Sequence, residues 1–224
     1  MNRSLSRRAI LRWGAAAATL LVDRAARSDA STNNVYLQPL GDGLSDEEVV
    51  SVQKALASFF AVRVPLLPRV PLPKAAYYPP RNRYRAEKLL DFLGPHLPDG
   101  GFRILGLTGS DISTTKGDYE DWGILGLATL DGRACVISSM RCKRNTKSAA
   151  HATIRLAKVA VHEIGHTLGL EHCPTRGCLM EDAEGKVATC DREYDLCADC
   201  RERLLKRGHA LDRPAEIPWP RPDR

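Results

Sequence analysis

His162-Glu163-Ile164-Gly165-His166-Thr167-Leu168-Gly169-Leu170-Glu171-His172 is the stretch from which the rest of this chain can be read. On an α-helix, positions 162 and 166 lie one turn apart on one face, so both imidazoles can reach a single ion. Glu163 then points beside them, toward a water molecule at an open coordination position. Gly169 lets the backbone turn back sharply, and His172 returns to the same ion only six residues after His166. Three neutral nitrogen ligands and one open position make the donor set of a catalytic zinc site. A lone histidine is usually a packed or surface residue, but three of the chain's six histidines fall inside these eleven residues. His96, His151 and His209 have no such company and read as ordinary side chains.

Working outward, Ile154, Ala157, Val161, Ile164 and Leu168 form one apolar stripe at helical spacing, so a long helix is expected over 148–168, ended by Gly169. Upstream, 123–130 and 134–140 flank Asp131-Gly132, a dipeptide that favours the tight turn of an antiparallel hairpin. Further strands are expected at 35–40 and 102–107, with a brief one at 62–64 inside a connection broken by Pro65, Pro68, Pro71 and Pro73. The run Tyr77-Tyr78-Pro79-Pro80 continues that loop. Ser45-Asp46-Glu47-Glu48 reads as a capping box opening a helix to about residue 60. A second helix fits 83–93, stopped by Gly94-Pro95, and a short last one fits 197–207. Residues 213–224 are proline-rich and read as a flexible tail.

With 224 residues, 43% of them hydrophobic, the chain fits one domain of ordinary size, over 31–212. The formal charge of +6 suggests an anionic partner at first sight. Residues 1–30, however, hold six arginines against two aspartates, which accounts for +4 of it. What remains is scattered and poor in aromatics, so nucleic-acid binding is not expected.

The amino end has the three regions of an export signal. Arg3, Arg7, Arg8 and Arg12 lead into an apolar stretch over 13–22, followed by small residues around Ser28-Asp29-Ala30. Ten apolar residues are too few to span a bilayer. Ser6-Arg7-Arg8-Ala9-Ile10-Leu11-Arg12 resembles the twin-arginine signature of proteins exported in the folded state. The expectation is a signal peptide over 1–30, a periplasmic or secreted product and no stable membrane association once the signal is removed. The alternative is a basic tail on a cytoplasmic protein.

Met180, eight residues after His172, matches the methionine turn that lies beneath the metal in the metzincin peptidases. His172 is followed at once by Cys173, and the series Cys173, Cys178, Met180, Cys197 and Cys200 resembles the archaemetzincin signature. Ile104-Leu105-Gly106-Leu107-Thr108, 122–128 and Val136-Ile137-Ser138-Ser139 also look like sequence of that family. The gap from Met180 to Cys197 is sixteen residues, one fewer than the family spacing, and it contains an additional cysteine, Cys190.

The resemblance implies an α+β, zincin-like fold: a twisted mixed sheet with an antiparallel edge hairpin, a long active-site helix and a small zinc-stabilised subregion over 173–200. It also implies two zinc ions per chain, a catalytic one on His162, His166 and His172 and a structural one on Cys173, Cys178, Cys197 and Cys200. Four thiolates close a tetrahedral coordination sphere and leave no room for reacting water, which suits a structural ion. For an exported chain a disulfide network is the alternative, although seven cysteines cannot all pair. Cys135, Cys142 and Cys190 have no assigned role. The expected activity is metal-assisted hydrolysis of peptide bonds, with Glu163 as general base, a peptide or protein as substrate and a monomer as the working form. Strand 122–130 would serve as a sheet edge along the cleft, either for substrate pairing or as plain structure. The rival readings are a zinc-stabilised peptide-binding module without turnover, and a zinc-finger-like protein, which leaves the three histidines unexplained.

Overall fold

The structure, a computed structural model, describes residues 34–60, 62–209 and 217–222. The signal expected over 1–30 lies outside the described residues. In chain order the elements are β1 (Val35–Leu40), α1 (Asp46–Phe60), β2 (Tyr77–Tyr78), β3 (Arg83–Arg85), α2 (Ala86–Leu93), β4 (Arg103–Thr108), β5 (Ile112–Lys116), β6 (Tyr119–Ile124), β7 (Gly126–Ala128), β8 (Ala134–Ser138), α3 (Ser139–Cys142), α4 (Ala149–Thr167), α5 (Thr189–Arg192) and α6 (Ala198–Lys206).

One sheet has the order β1-β4-β8-β7, in which β1, β4 and β8 run parallel and β7 is antiparallel to β8. Parallel strands are stable when both faces are covered, and the two-residue alternation of these strands supplies both faces. Leu105, Leu107, Cys135 and Ile137 pack with α1 and α4 in one core, while Ile104, Ala134 and Val136 pack with α2 in the other. Ser45 and Glu48 form the reciprocal cap of α1, with N–H to side-chain oxygen distances of 2.9 and 3.2 Å. The mixed sheet, edge hairpin and long helix match the α+β expectation.

Several local expectations change. Tyr77–Tyr78 is not plain loop, because the Pro79-Pro80 turn and the left-handed Asn82 (φ 49°) fold the chain back. Arg83–Arg85 then pairs with β2 and β5, so the second helix begins only at Ala86. The expected hairpin strand over 123–130 is divided. Residues up to Ile124 belong to a second sheet of order β2-β3-β5-β6, and the chain crosses to β7 at Leu125. The loop between β7 and β8 spans residues 129–133, with Asp131 at φ 54°, longer than a two-residue turn. Finally, the tail expectation fails over 217–222: Trp219 is buried, stacks on Phe59 at 6.1 Å between ring centroids, and donates its indole N–H to Tyr194 O at 2.8 Å.

The proline-punctuated connection behaves as its chemistry requires. Carbonyls of Arg63 and Pro65 accept from the N–H groups of Val35 and Leu37 at 2.9 Å each, but the missing proline N–H groups leave only isolated bridges along β1. The brief strand expected at 62–64 is one such bridge, Arg63 to Asn34.

The second sheet is fastened by a buried carboxylate. Asp111 meets Arg83 at 2.8 Å and Arg141, on α3, at 2.6 and 3.0 Å. Removing one partner of a buried pair leaves a desolvated charge behind, so Asp111→Ala should cost about 3 kcal/mol in urea unfolding, whereas a loss below about 0.5 kcal/mol would mean the network is decorative.

Candidate metal centre

Helix α4 starts at Ser148, whose hydroxyl accepts the N–H of His151 at 3.1 Å, and it carries His162, Glu163 and His166 near its C-terminal end. Gly169 stops it with φ 85°, a value that side chains with a Cβ rarely adopt. The N–H of Leu170 then bonds Gly165 O at 3.0 Å and the chain doubles back to His172.

One nitrogen from each of His162, His166 and His172 lies within 4.8 Å of the other two. Backbone carbonyls fix two of the rings: His162 Nδ1 bonds Leu179 O at 2.6 Å and His166 Nδ1 bonds Leu170 O at 2.7 Å. With the protons held at Nδ1, the two Nε2 lone pairs face each other at 3.0 Å. Ligands about 2.0–2.1 Å from a tetrahedral zinc lie roughly 3.3 Å apart, so the set fits a shared cation. Burial pushes His162 down to about 3, with His166 adding to the shift, and lowers His166 too, so both rings are neutral at neutral pH as metal binding requires. His172 is half-exposed, with Asp182 3.7 Å from its Nδ1.

Glu163 stands beside this cluster with its carboxyl buried, and desolvation pushes it up to about 8. Gly126 of β7 makes room for it: a Cβ there would come 2.5 Å from Glu163 Oε1. Strand β7, at the edge of its sheet, therefore runs directly past the histidines. Histidines, Glu163 and residues 124–128 line one cavity of about 480 Å³, closed on another side by Trp122 and residues 182–185.

Met180 is fully buried, its sulfur against Gly165 of α4, and its carbonyl accepts from Cys173 N at 2.7 Å. Cys173, Cys178, Cys197 and Cys200 converge a short distance beyond, with their sulfurs within 4.8 Å of one another. The Cys173–Cys197 and Cys178–Cys200 separations, 3.6 and 3.8 Å, are far beyond a disulfide bond, and all seven cysteines are free. They match the roughly 3.8 Å expected between thiolates 2.3 Å from a tetrahedral zinc. The N–H groups of Met180 and Cys197 point at Cys178 Sγ from 3.5 and 3.3 Å, an orientation that favours a thiolate. Cys190 lies outside this cluster, buried on α5 against the cavity.

The structure thus brings His162, His166 and His172 together with Glu163 beside them and Met180 under α4, and gathers the four cysteines into a separate cluster. Gly126, Asp182 and Glu193 were not anticipated: each depends on how distant segments meet at α4, and no local spacing marks them.

A metal-binding helix and turn beside a buried carboxyl and a sheet edge define a metallopeptidase. Comparison with known proteins narrows this. The family model Peptidase family M54 matches residues 46–207. An archaemetzincin of Halobacterium salinarum (strain ATCC 29341 / DSM 671 / R1) is 32% identical over 178 residues, covering 76% of this chain and 99% of that one. The crystal structure of the Methanopyrus kandleri archaemetzincin superposes with a TM-score of 0.67 at 28% identity, covering 80% of this chain and 97% of the other. That of the Archaeoglobus fulgidus archaemetzincin, complexed with malonate, gives 0.65 at 31% identity, covering 76% and 99%. The chain belongs to peptidase family M54, the archaemetzincin family of zinc metallopeptidases.

One brace behind the site is pH-dependent. Arg155 grips Asp191 with bonds of 2.7 and 2.6 Å and His151 adds one of 2.6 Å, tying α5 to α4. Arg155 first, then His151, holds the Asp191 carboxyl at about 2, below its ordinary 3.8. A depressed folded value means stability fully present above 3.8 and lost as pH falls through about 2. The stability gap between wild type and Asp191→Asn should therefore shrink as pH drops from about 5 to about 2, and a gap independent of pH would refute the assignment.

Proposed function

We propose that the protein hydrolyses peptide bonds at a zinc held by His162, His166 and His172, with Glu163 as general base. A second, structural zinc would sit on Cys173, Cys178, Cys197 and Cys200. The observation that carries the reading is the buried Glu163 carboxyl beside three converging imidazoles and against an edge strand. Zinc, when bound there, supplies a Lewis acid that polarises the scissile carbonyl and acidifies water. The chain's own groups do the rest. Backbone N–H and C=O groups of β7 are available to pair with an extended peptide as an added strand, presenting its carbonyl to the cluster. Glu163, buried beside the imidazoles, takes a proton from the attacking water and returns it to the leaving amine.

The reading that such a site only binds peptides is disfavoured by the presence of Glu163, which matters far more to rate than to metal affinity. Glu163→Ala should keep two zinc ions per chain, counted by atomic emission, while peptide cleavage falls by about 10³-fold or more. Equal turnover in both proteins would sink the catalytic assignment. Cys178→Ser should release one zinc and lower the unfolding temperature, leaving the histidine site filled only to the extent the fold survives.

We also propose export of the folded protein through the twin-arginine route, on the strength of Arg7-Arg8 and the apolar stretch after them. Metal would then be loaded before the membrane is crossed, since its ligands converge only in the folded chain. The double variant Arg7→Lys, Arg8→Lys should stay in the cytoplasm on fractionation; unimpaired secretion would argue against this route.

A further inference from the structure

Beyond the histidines the cavity continues along α4 to Val159, where it meets Cys190 and Glu193 from the segment that follows Met180. Glu193 is only 3% exposed, lines the cavity, and makes neither a side-chain hydrogen bond nor an ion pair among the described residues. Lys158 is a buried cation whose charge reaches Glu193. Its ammonium is engaged elsewhere, donating to the carbonyl oxygens of Cys190 and Glu193 at 2.8 and 2.6 Å. A buried carboxyl without a partner is costly, and a cation arriving through the cavity would remove that cost. Burial pushes Glu193 up to about 8, only partly opposed by Lys158, and a cation beside it would favour its ionised form.

Acidic side chains stand around it. Glu171, Asp182 and Glu184 line the same cavity against one lysine, Lys116. Asp182 faces His172, and Glu184 pairs with Lys186 at 3.1 Å, so neither excludes a cationic guest. Of the chain's +6, +4 lies in residues 1–30, so the rest is close to balanced and the acidic cleft would focus basic substrates into itself.

We propose that Glu193 is a specificity-determining residue: the cleft selects peptides carrying a lysine or arginine side chain, whose cationic end reaches the Glu193 carboxylate at the cavity floor. This inference rests on the peptidase reading of the same site. It neither uses nor alters the proposed role of Glu163.

The test uses zinc-loaded mature protein and decapeptides in which lysine, arginine, norleucine or glutamate occupies each position in turn. Two measurements are made in parallel, hydrolysis by wild type and equilibrium binding to the Glu163→Ala protein by fluorescence anisotropy. At the preferred position lysine or arginine should exceed norleucine by about tenfold or more in both, with glutamate poorest, because a charge-assisted bond replaces an unpaired carboxyl. Adding Glu193→Gln should shrink that ratio to about twofold or less. Equal binding of lysine and norleucine peptides would overturn the proposal, as would an unchanged ratio in Glu193→Gln. Should that variant fail to fold, the lysine-to-norleucine ratio of the Glu193-bearing protein decides alone. Selective binding without any hydrolysis would uphold Glu193 and defeat the peptidase reading, whereas hydrolysis without selectivity would do the reverse.

Discussion

Three imidazole nitrogens must meet at one point although they lie on eleven residues of chain, and a single helix cannot achieve this. A helix brings His162 and His166 together, but His172 would continue away along its axis. The left-handed turn at Gly169 resolves the conflict, and the bond from Leu170 N to Gly165 O locks it. That turn also delivers Leu170 O to His166, so the same backbone that ends the helix orients one ligand ring. The hairpin-like return through Cys178 to Met180 then brings Leu179 O to His162. Ligand geometry, helix termination and the path of the following segment are one constraint seen from three sides.

The sheet serves this constraint from the other face. Its parallel strands are apolar on both sides because α1 and α4 cover one and α2 the other, which leaves β7 as the edge beside α4. At that edge, side chains would compete with Glu163 for space, and Gly126 removes the conflict. The second sheet, pinned by Asp111, and the loop around Gly185 close the cavity from outside. A small cysteine cluster brackets the segment that carries Met180 and Glu193.

Much of this was legible in the sequence because the decisive signals are local. His162, His166, Gly169 and His172 lie at spacings set by helix pitch and turn geometry, Met180 and the four clustered cysteines follow the spacing that the family resemblance implies, and the capping box at Ser45 and the stripe on α4 are equally local. What escaped depends on contacts across the chain. The division of the expected strand 123–130 between two sheets at Leu125 has no local signature. Arg83–Arg85 reads as helix until β5 is present to pair with it. Trp219 looks like part of a loose tail until Phe59 and Tyr194 offer it a surface and an acceptor. Asp182 and Glu193 carry no motif, and only the folded cavity brings them to the metal centre.

Zinc X-ray absorption on the purified mature chain tests the central claim most directly, because it reports ligand type and distance without reference to turnover. The account requires a first shell in which sulfur at about 2.3 Å and nitrogen or oxygen at about 2.0–2.1 Å contribute in near-equal number, the average of a four-sulfur site and a three-histidine site. A shell of sulfur alone, in protein holding its full complement of zinc, would contradict it.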